Sequence, residues 1–146
     1  MQWFTTAQDL LAAEETIRLG NYYKSVLSYT NDWAYFNQVL DSQIPLETAD
    51  EAKQQLVHDK AMNMIQNMAD YHNGLSYING LLAEDQWDGD FYLNYYKGKG
   101  FVGLGLLAEA RNHFEEMALQ TTDETQSEML QLELAAISEL ENGGAQ

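Results

Sequence analysis

The chain has 146 residues, one proline, no cysteine and a hydrophobic content of 45%, enough for one ordinary domain with its own core. Twenty-three acidic against seven basic residues give a formal net charge of −16. That charge repels nucleic-acid phosphate and anionic membrane surfaces, and it suits either plain solubility or attraction to a basic partner; the lack of cysteine excludes disulfides and thiolate metal sites.

The N-terminus, MQWFTTAQDLLAAEE, has no basic region ahead of an apolar core, so no signal peptide is expected. No run approaches the ~18 apolar residues of a membrane span, and a cytoplasmic location is the expectation. Helix signals then dominate. Thr5 or Thr6 is placed to cap a first helix, with Gln8 as in a capping box, and this helix is expected to stop at Gly20-Asn21. A second helix follows, with Tyr22, Val26, Tyr29, Trp33, Phe36 and Leu40 at alternating steps of four and three. They line one face in the cleanest amphipathic pattern of the chain.

Residues 41–47, DSQIPLE, hold the proline and break the helix, because Pro45 disfavours helical geometry at Ile44. Thr48 with Glu51 forms a second capping box, opening a helix with the stripe Val57, Ala61, Met64, Ile65 and Met68. A break near Asp70 leads to YHNGLSYINGLLAE, whose Gly74 and Gly80 each cost about 1 kcal/mol relative to alanine. After the polar turn 85–90 come helices over about 91–103 and 106–119. Thr121 and Glu124 are placed as a third capping box. The last helix carries Leu130, Leu134, Ile137 and Leu140 and ends at Asn142-Gly143-Gly144. The expected fold is a single all-α domain of about seven helices, an array of antiparallel hairpins. The pairs cover about 5–40, 48–84 and 90–119, and a last helix covers 122–142.

Residues 91–119 resemble one tetratricopeptide repeat through Tyr95, Gly98, Phe101, Gly105, Ala110, Phe114 and the pair Ala118-Leu119, which is displaced by one position. Gly98 and Ala110 would let two helices approach closely, with Phe101 and Phe114 filling the space beside them. DYHNGLSYINGLLAED and GNYYKSVLSY echo the turn and second helix of the repeat. Their small residues Ser25, Gly74 and Ala110 are 49 and 36 positions apart, against about 34 residues per repeat in the family. No repeat ends in the family's usual proline. The resemblance implies a superhelix whose first helices line a partner-binding groove. In this chain that groove would comprise Leu10, Glu14, Ile17, Asp59, Asn63, Gln66, Tyr92, Tyr95, Lys99 and Val102. Packing of the tyrosines between helices is the plainer alternative for Tyr92 and Tyr95.

Three motifs invite chemistry and fall short of it. Gly98–Gly103 spells GxGxxG, but a dinucleotide site needs that loop between a strand and a helix. Glu109 and His113 are spaced i, i+4 with no second copy, whereas helical di-metal sites use Glu-x-x-His twice. Asp85, Asp88 and Asp90 do not keep calcium-loop spacing, and Tyr95 stands where the loop needs glutamate. No nucleophile elbow or Ser-His-Asp pattern stands out. The expectation is therefore a non-enzymatic module without metal or cofactor that binds a basic or apolar segment of another protein. In size, charge and helical-repeat content the chain is similar to small acidic chaperones of secretion substrates. Two alternatives stay open: an acidic immunity or inhibitor protein neutralising a basic toxin or nuclease, and a helical bundle holding a small ligand in an aromatic pocket. The stripe of the last helix is available either to cap the array or to pair two copies as a homodimer.

Overall fold

The computed structural model describes the backbone of residues 2–143 and the side chains of residues 11–143. Among the described residues the chain is all-helical, with seven α-helices and no strand. Its contacts fall into two compact units, Met1–Met68 and Ala69–Gln146. No described helix is long and apolar enough to cross a membrane.

The first unit holds α1 (Gln2–Tyr29), α2 (Trp33–Gln43) and α3 (Asp50–Met62), the last continued by a π-helical turn at Asn63–Asn67. The expected stop at Gly20-Asn21 is not there. Helix α1 runs through it, and Thr5 and Thr6 lie inside the helix instead of capping it. Gly20 has a packing role: a Cβ at this position would lie 2.5 Å from Gln43 Nε2. The missing side chain lets α2 bring the fully buried Gln43 onto α1. There Gln43 Nε2 donates to the Ile17 carbonyl at 2.9 Å and to Asn21 Oδ1 at 3.0 Å, while Gln43 Oε1 is buried without a hydrogen-bond partner among the described residues. The actual break falls ten residues later. Asn31 takes a left-handed φ of 59°, and the Asp32 N–H closes on the Leu27 carbonyl at 2.8 Å, the usual way to satisfy the last carbonyls of a helix.

This displacement splits the stripe expected over residues 22–40. Leu40 is fully buried and Trp33 and Phe36 are half-buried on α2, while Tyr22, Val26 and Tyr29 remain outside on α1. Helix α3 starts at Asp50 after Ala49, whose N–H is taken by Glu47, so Thr48 and Glu51 form no capping box. Asn63 is fully buried at the π-turn, donating to the Trp33 carbonyl at 3.0 Å and accepting from Asn67 at 3.1 Å.

The second unit is a succession of hairpins: α4 (Tyr71–Leu82), a 3₁₀ turn at Asp85–Trp87, α5 (Phe91–Gly103), α6 (Leu107–Gln120) and α7 (Glu124–Gly143). Helices α5, α6 and α7 each pack against the helix before them. Asp90 caps α5 by accepting from the Leu93 N–H at 2.9 Å, and Asp123 caps α7 by accepting from the Gln126 N–H at 2.8 Å. The cap therefore falls at Asp123 and the expected Thr121–Glu124 box does not form: Thr121 Oγ1 donates instead to the Gln126 side chain. Gly105, at φ 77°, turns α5 into α6. Fully buried Ala110, Phe114, Leu130 and Ile137 make the core with Met117, and Phe91, Tyr95, Phe101, Val102 and Leu134 pack around it. Burial of each large apolar side chain contributes about 1.5–3 kcal/mol. Gly98 admits the Phe114 ring, which occupies the space a Cβ would need. Leu130, Leu134 and Ile137 of the last helix thus face this core, while Leu140 is exposed.

Candidate functional site

The second unit carries an open cleft of about 330 Å³. Helix α6 supplies one wall. His113, Glu116, Met117 and Gln120 recur at steps of three, one and three, so they share one side of that helix. The start of α5 supplies Phe91 and Asn94. The turn before it brings Asp88 and Gly89, and Thr121 and Gln126 close the end where α6 passes into α7. Gly89 holds a φ of 76°, which carries the chain sharply from Asp88 to the Asp90 cap.

The cleft has an apolar floor and an acidic rim. Met117 is buried and Phe91 half-buried, whereas Asp88 and Glu116 are exposed. Asn94 is fixed from both ends: its side chain donates to the Asp90 carbonyl at 2.8 Å, and its own carbonyl lies 2.8 Å from His113 Nε2. A carbonyl only accepts, so Nε2 carries the ring proton and Nδ1 is the acceptor of the neutral imidazole. Burial holds His113 below the ordinary imidazole value, assisted by the positive charge of Lys97. The Asn94 carbonyl and Glu116 pull the other way. The surrounding unit is strongly acidic, with fourteen acidic and three basic residues over 69–146, against nine and four over 1–68.

The groove residues expected from the resemblance are dispersed. In the second unit Tyr92 is exposed, but Tyr95 and Lys99 are both held by Glu133 of α7. The Tyr95 hydroxyl donates at 2.6 Å and Lys99 Nζ at 3.0 Å. Val102 packs against the Phe114 core. These three do not line an open groove, because α7 brings Glu133 over their face. In the first unit Glu14 and Ile17 line a second cavity of about 270 Å³ with Arg18, Asn21, Leu46, Glu47 and Thr48. Asp59 is half-buried and accepts from Gln55 Nε2 at 2.8 Å. Asn63 is sealed in the core, Gln66 is exposed, and the Leu10 side chain lies outside the described residues.

The tempting motifs resolve structurally. Gly98–Gly103 lies wholly within α5, so its N–H groups serve the helix and cannot cradle phosphate. Among the described residues no group of three or more His, Asp or Glu is placed to hold a metal ion. Asp85 opens the 3₁₀ turn and Asp90 caps α5. The sequence reading missed Phe91, Asn94, Glu116, Gln120 and Gln126. Their signal was faint: a polar stripe at helical spacing is also what any solvated helix face presents. No family model, no curated protein and no solved structure matches this chain.

Proposed function

We propose that the chain is a non-enzymatic protein-binding module that takes a basic segment of another protein into the cleft between α5 and α6. The observation that carries this reading is the pairing of an apolar floor, Phe91 and Met117, with the rim carboxylates Asp88 and Glu116, in a unit of fourteen acidic and three basic residues. An arginine or lysine side chain suits that arrangement: its methylene stem covers apolar surface while its head meets carboxylate. The amides of Gln120 and Gln126 offer further partners. The non-catalytic side of the reading is supported by the Thr121 hydroxyl, which donates to Gln126 and so is not activated by the His113 ring.

A small acidic chaperone or adaptor fits this chemistry. So does an acidic inhibitor of a basic toxin or nuclease, favoured by the same charge asymmetry. The inhibitor would differ in its kinetics, with a fast on-rate that falls steeply with salt.

The test is titration of isotope-labelled protein with a peptide that alternates arginine and leucine, followed by amide shifts. Asn94, Glu116, Gln120 and Gln126 should move. Asp88→Asn combined with Glu116→Gln should weaken binding by about tenfold, the equivalent of two partly solvated ion pairs. Shifts elsewhere, or equal affinity in the double variant, would sink the reading.

A further inference from the structure

Helix α1 is apolar on two sides. One side, with Ala13, Ile17, Gly20, Lys24 and Leu27 at steps of three and four, carries the buried Gly20 that receives Gln43 of α2. The other side carries Leu11, Leu19, Tyr22, Val26 and Tyr29 within an arc of ~80° at 3.6 residues per turn, and all five are exposed. Leu11 is 65% exposed, Tyr22 67% and Tyr29 91%. Tyr23 flanks them. Scattered exposed leucines need no explanation, but a heptad-spaced stripe ~27 Å long is a packing surface awaiting an occupant.

We infer that the occupant is a second copy of this chain, packed antiparallel along α1 about a two-fold axis beside Gly20-Asn21. Three observations select it. The first is charge. In a chain of net charge −16, residues 11–31 balance two acidic residues, Glu14 and Glu15, with two basic ones, Arg18 and Lys24. Self-association of so acidic a protein meets least repulsion here. The second is order. Positions 19 and 22 are symmetric about the midpoint of residues 20–21, and positions 11 and 29 are so to within one residue, so a two-fold operation places Leu19 against Tyr22 and Leu11 beside Tyr29. Arg18 then falls opposite Tyr23, a cation over a ring. Val26 meets Glu15, the acidic residue on this face, whose carboxylate Arg18 already holds at 2.6 Å. A two-fold contact requires such self-complementarity. The third is area. At about 150–200 Å² per large side chain, the six exposed groups present roughly 650 Å² per copy, close to the ~800 Å² per partner of a standard interface.

Sedimentation equilibrium of the full chain tests the inference at low and high salt. The expected result is a species of twice the 16.6 kDa chain mass. Its population should rise with salt, because screening relieves repulsion between two acidic copies. Basic-peptide binding at the cleft weakens with salt, so the two proposals fail independently. Tyr22→Ser combined with Tyr29→Ser changes no charge and no buried residue, and should sediment as the single chain with unchanged helical circular dichroism. Orientation is read by mixing Leu19→Cys with Tyr22→Cys in a chain that has no cysteine of its own. The mixed disulfide should dominate over either homodisulfide. A monomeric wild type, a dimer that survives the double serine variant, or dominant homodisulfides would each overturn the antiparallel α1 pairing.

Discussion

Tyr95 and Glu133, thirty-eight residues apart, share one short hydrogen bond of 2.6 Å that ties α5 to α7. Lys99 meets the same carboxylate at 3.0 Å, so one glutamate anchors two side chains of α5. Burial, reinforced by the hydrogen bond and charge of Glu133, holds the Tyr95 phenol well above the usual tyrosine range.

Tyr95→Phe should therefore cost about 1–2 kcal/mol, toward the low end for a hydrogen bond to a charged acceptor because the site is half-buried. The phenol also sets an alkaline limit. Its folded value is raised, so its contribution is full below the unfolded value of about 10 and is lost as pH rises beyond it. Urea titrations at neutral and alkaline pH check both points. The variant should lose less stability than the wild type on going alkaline, and an equal loss would refute the assignment.

His113 should make stability depend on pH in the opposite direction. Its folded value is lowered by burial, so the unfolded chain binds more protons as pH falls below about 6.5. The contribution of neutral His113 is full above that value and is lost on acidification toward the folded one. His113→Gln keeps a donor for the Asn94 carbonyl and removes the titration. Comparing urea midpoints at about pH 7.5 and about pH 5.5 should show a larger acid loss in the wild type than in the variant.

Two glycine-to-alanine changes should have opposite signs. At Gly98 the new methyl would run into the Phe114 ring, which is fully buried and cannot swing away. Overpacking of this kind costs about 1–3 kcal/mol. At Gly80, on α4, a Cβ meets nothing within 4 Å, so alanine should add about 0.5–1 kcal/mol through helix propensity. Thermal melts of both variants decide it, and stabilisation by Gly98→Ala would contradict the packing described.

Leu134→Asp should unfold the second unit. Leu134 packs against the core of Phe114, Met117, Leu130 and Ile137, and a carboxylate placed there is desolvated without a partner. Loss of helical circular dichroism is the expected reading. A folded variant that merely changed oligomeric state would place the stripe of α7 at an interface instead.

The second unit was largely legible in the sequence. Glycine at 105 and the aspartates at 70 and 90 punctuate it with local chemistry, and the helix expected at 91–103 is observed with those bounds. The first unit misled for a physical reason. Gly20-Asn21 is both a good helix stop and a good notch for a neighbouring side chain, and only the presence of Gln43 decides between them. The continuous stripe from Tyr22 to Leu40 likewise hid a left-handed Asn31 in its middle. Helix caps show the same limit: Thr48–Glu51 and Thr121–Glu124 have capping-box spacing, yet α3 starts without a side-chain cap and Asp123 takes the start of α7. The candidate cleft was illegible because its residues come from three segments whose proximity is set by packing, with no spacing rule of their own.

The glycine notches also bear on how this sequence could drift. Gly98 with Phe114, Gly103 with Tyr71 and Gly20 with Gln43 are each a void matched to a projecting group. Neither member of such a pair can change size without the other. A larger residue at 98 becomes acceptable only once 114 has shrunk, and the reverse order leaves a cavity on the way. Relatives of this chain should therefore exchange these positions in concert, as small-with-large pairs that swap sides or stay fixed together.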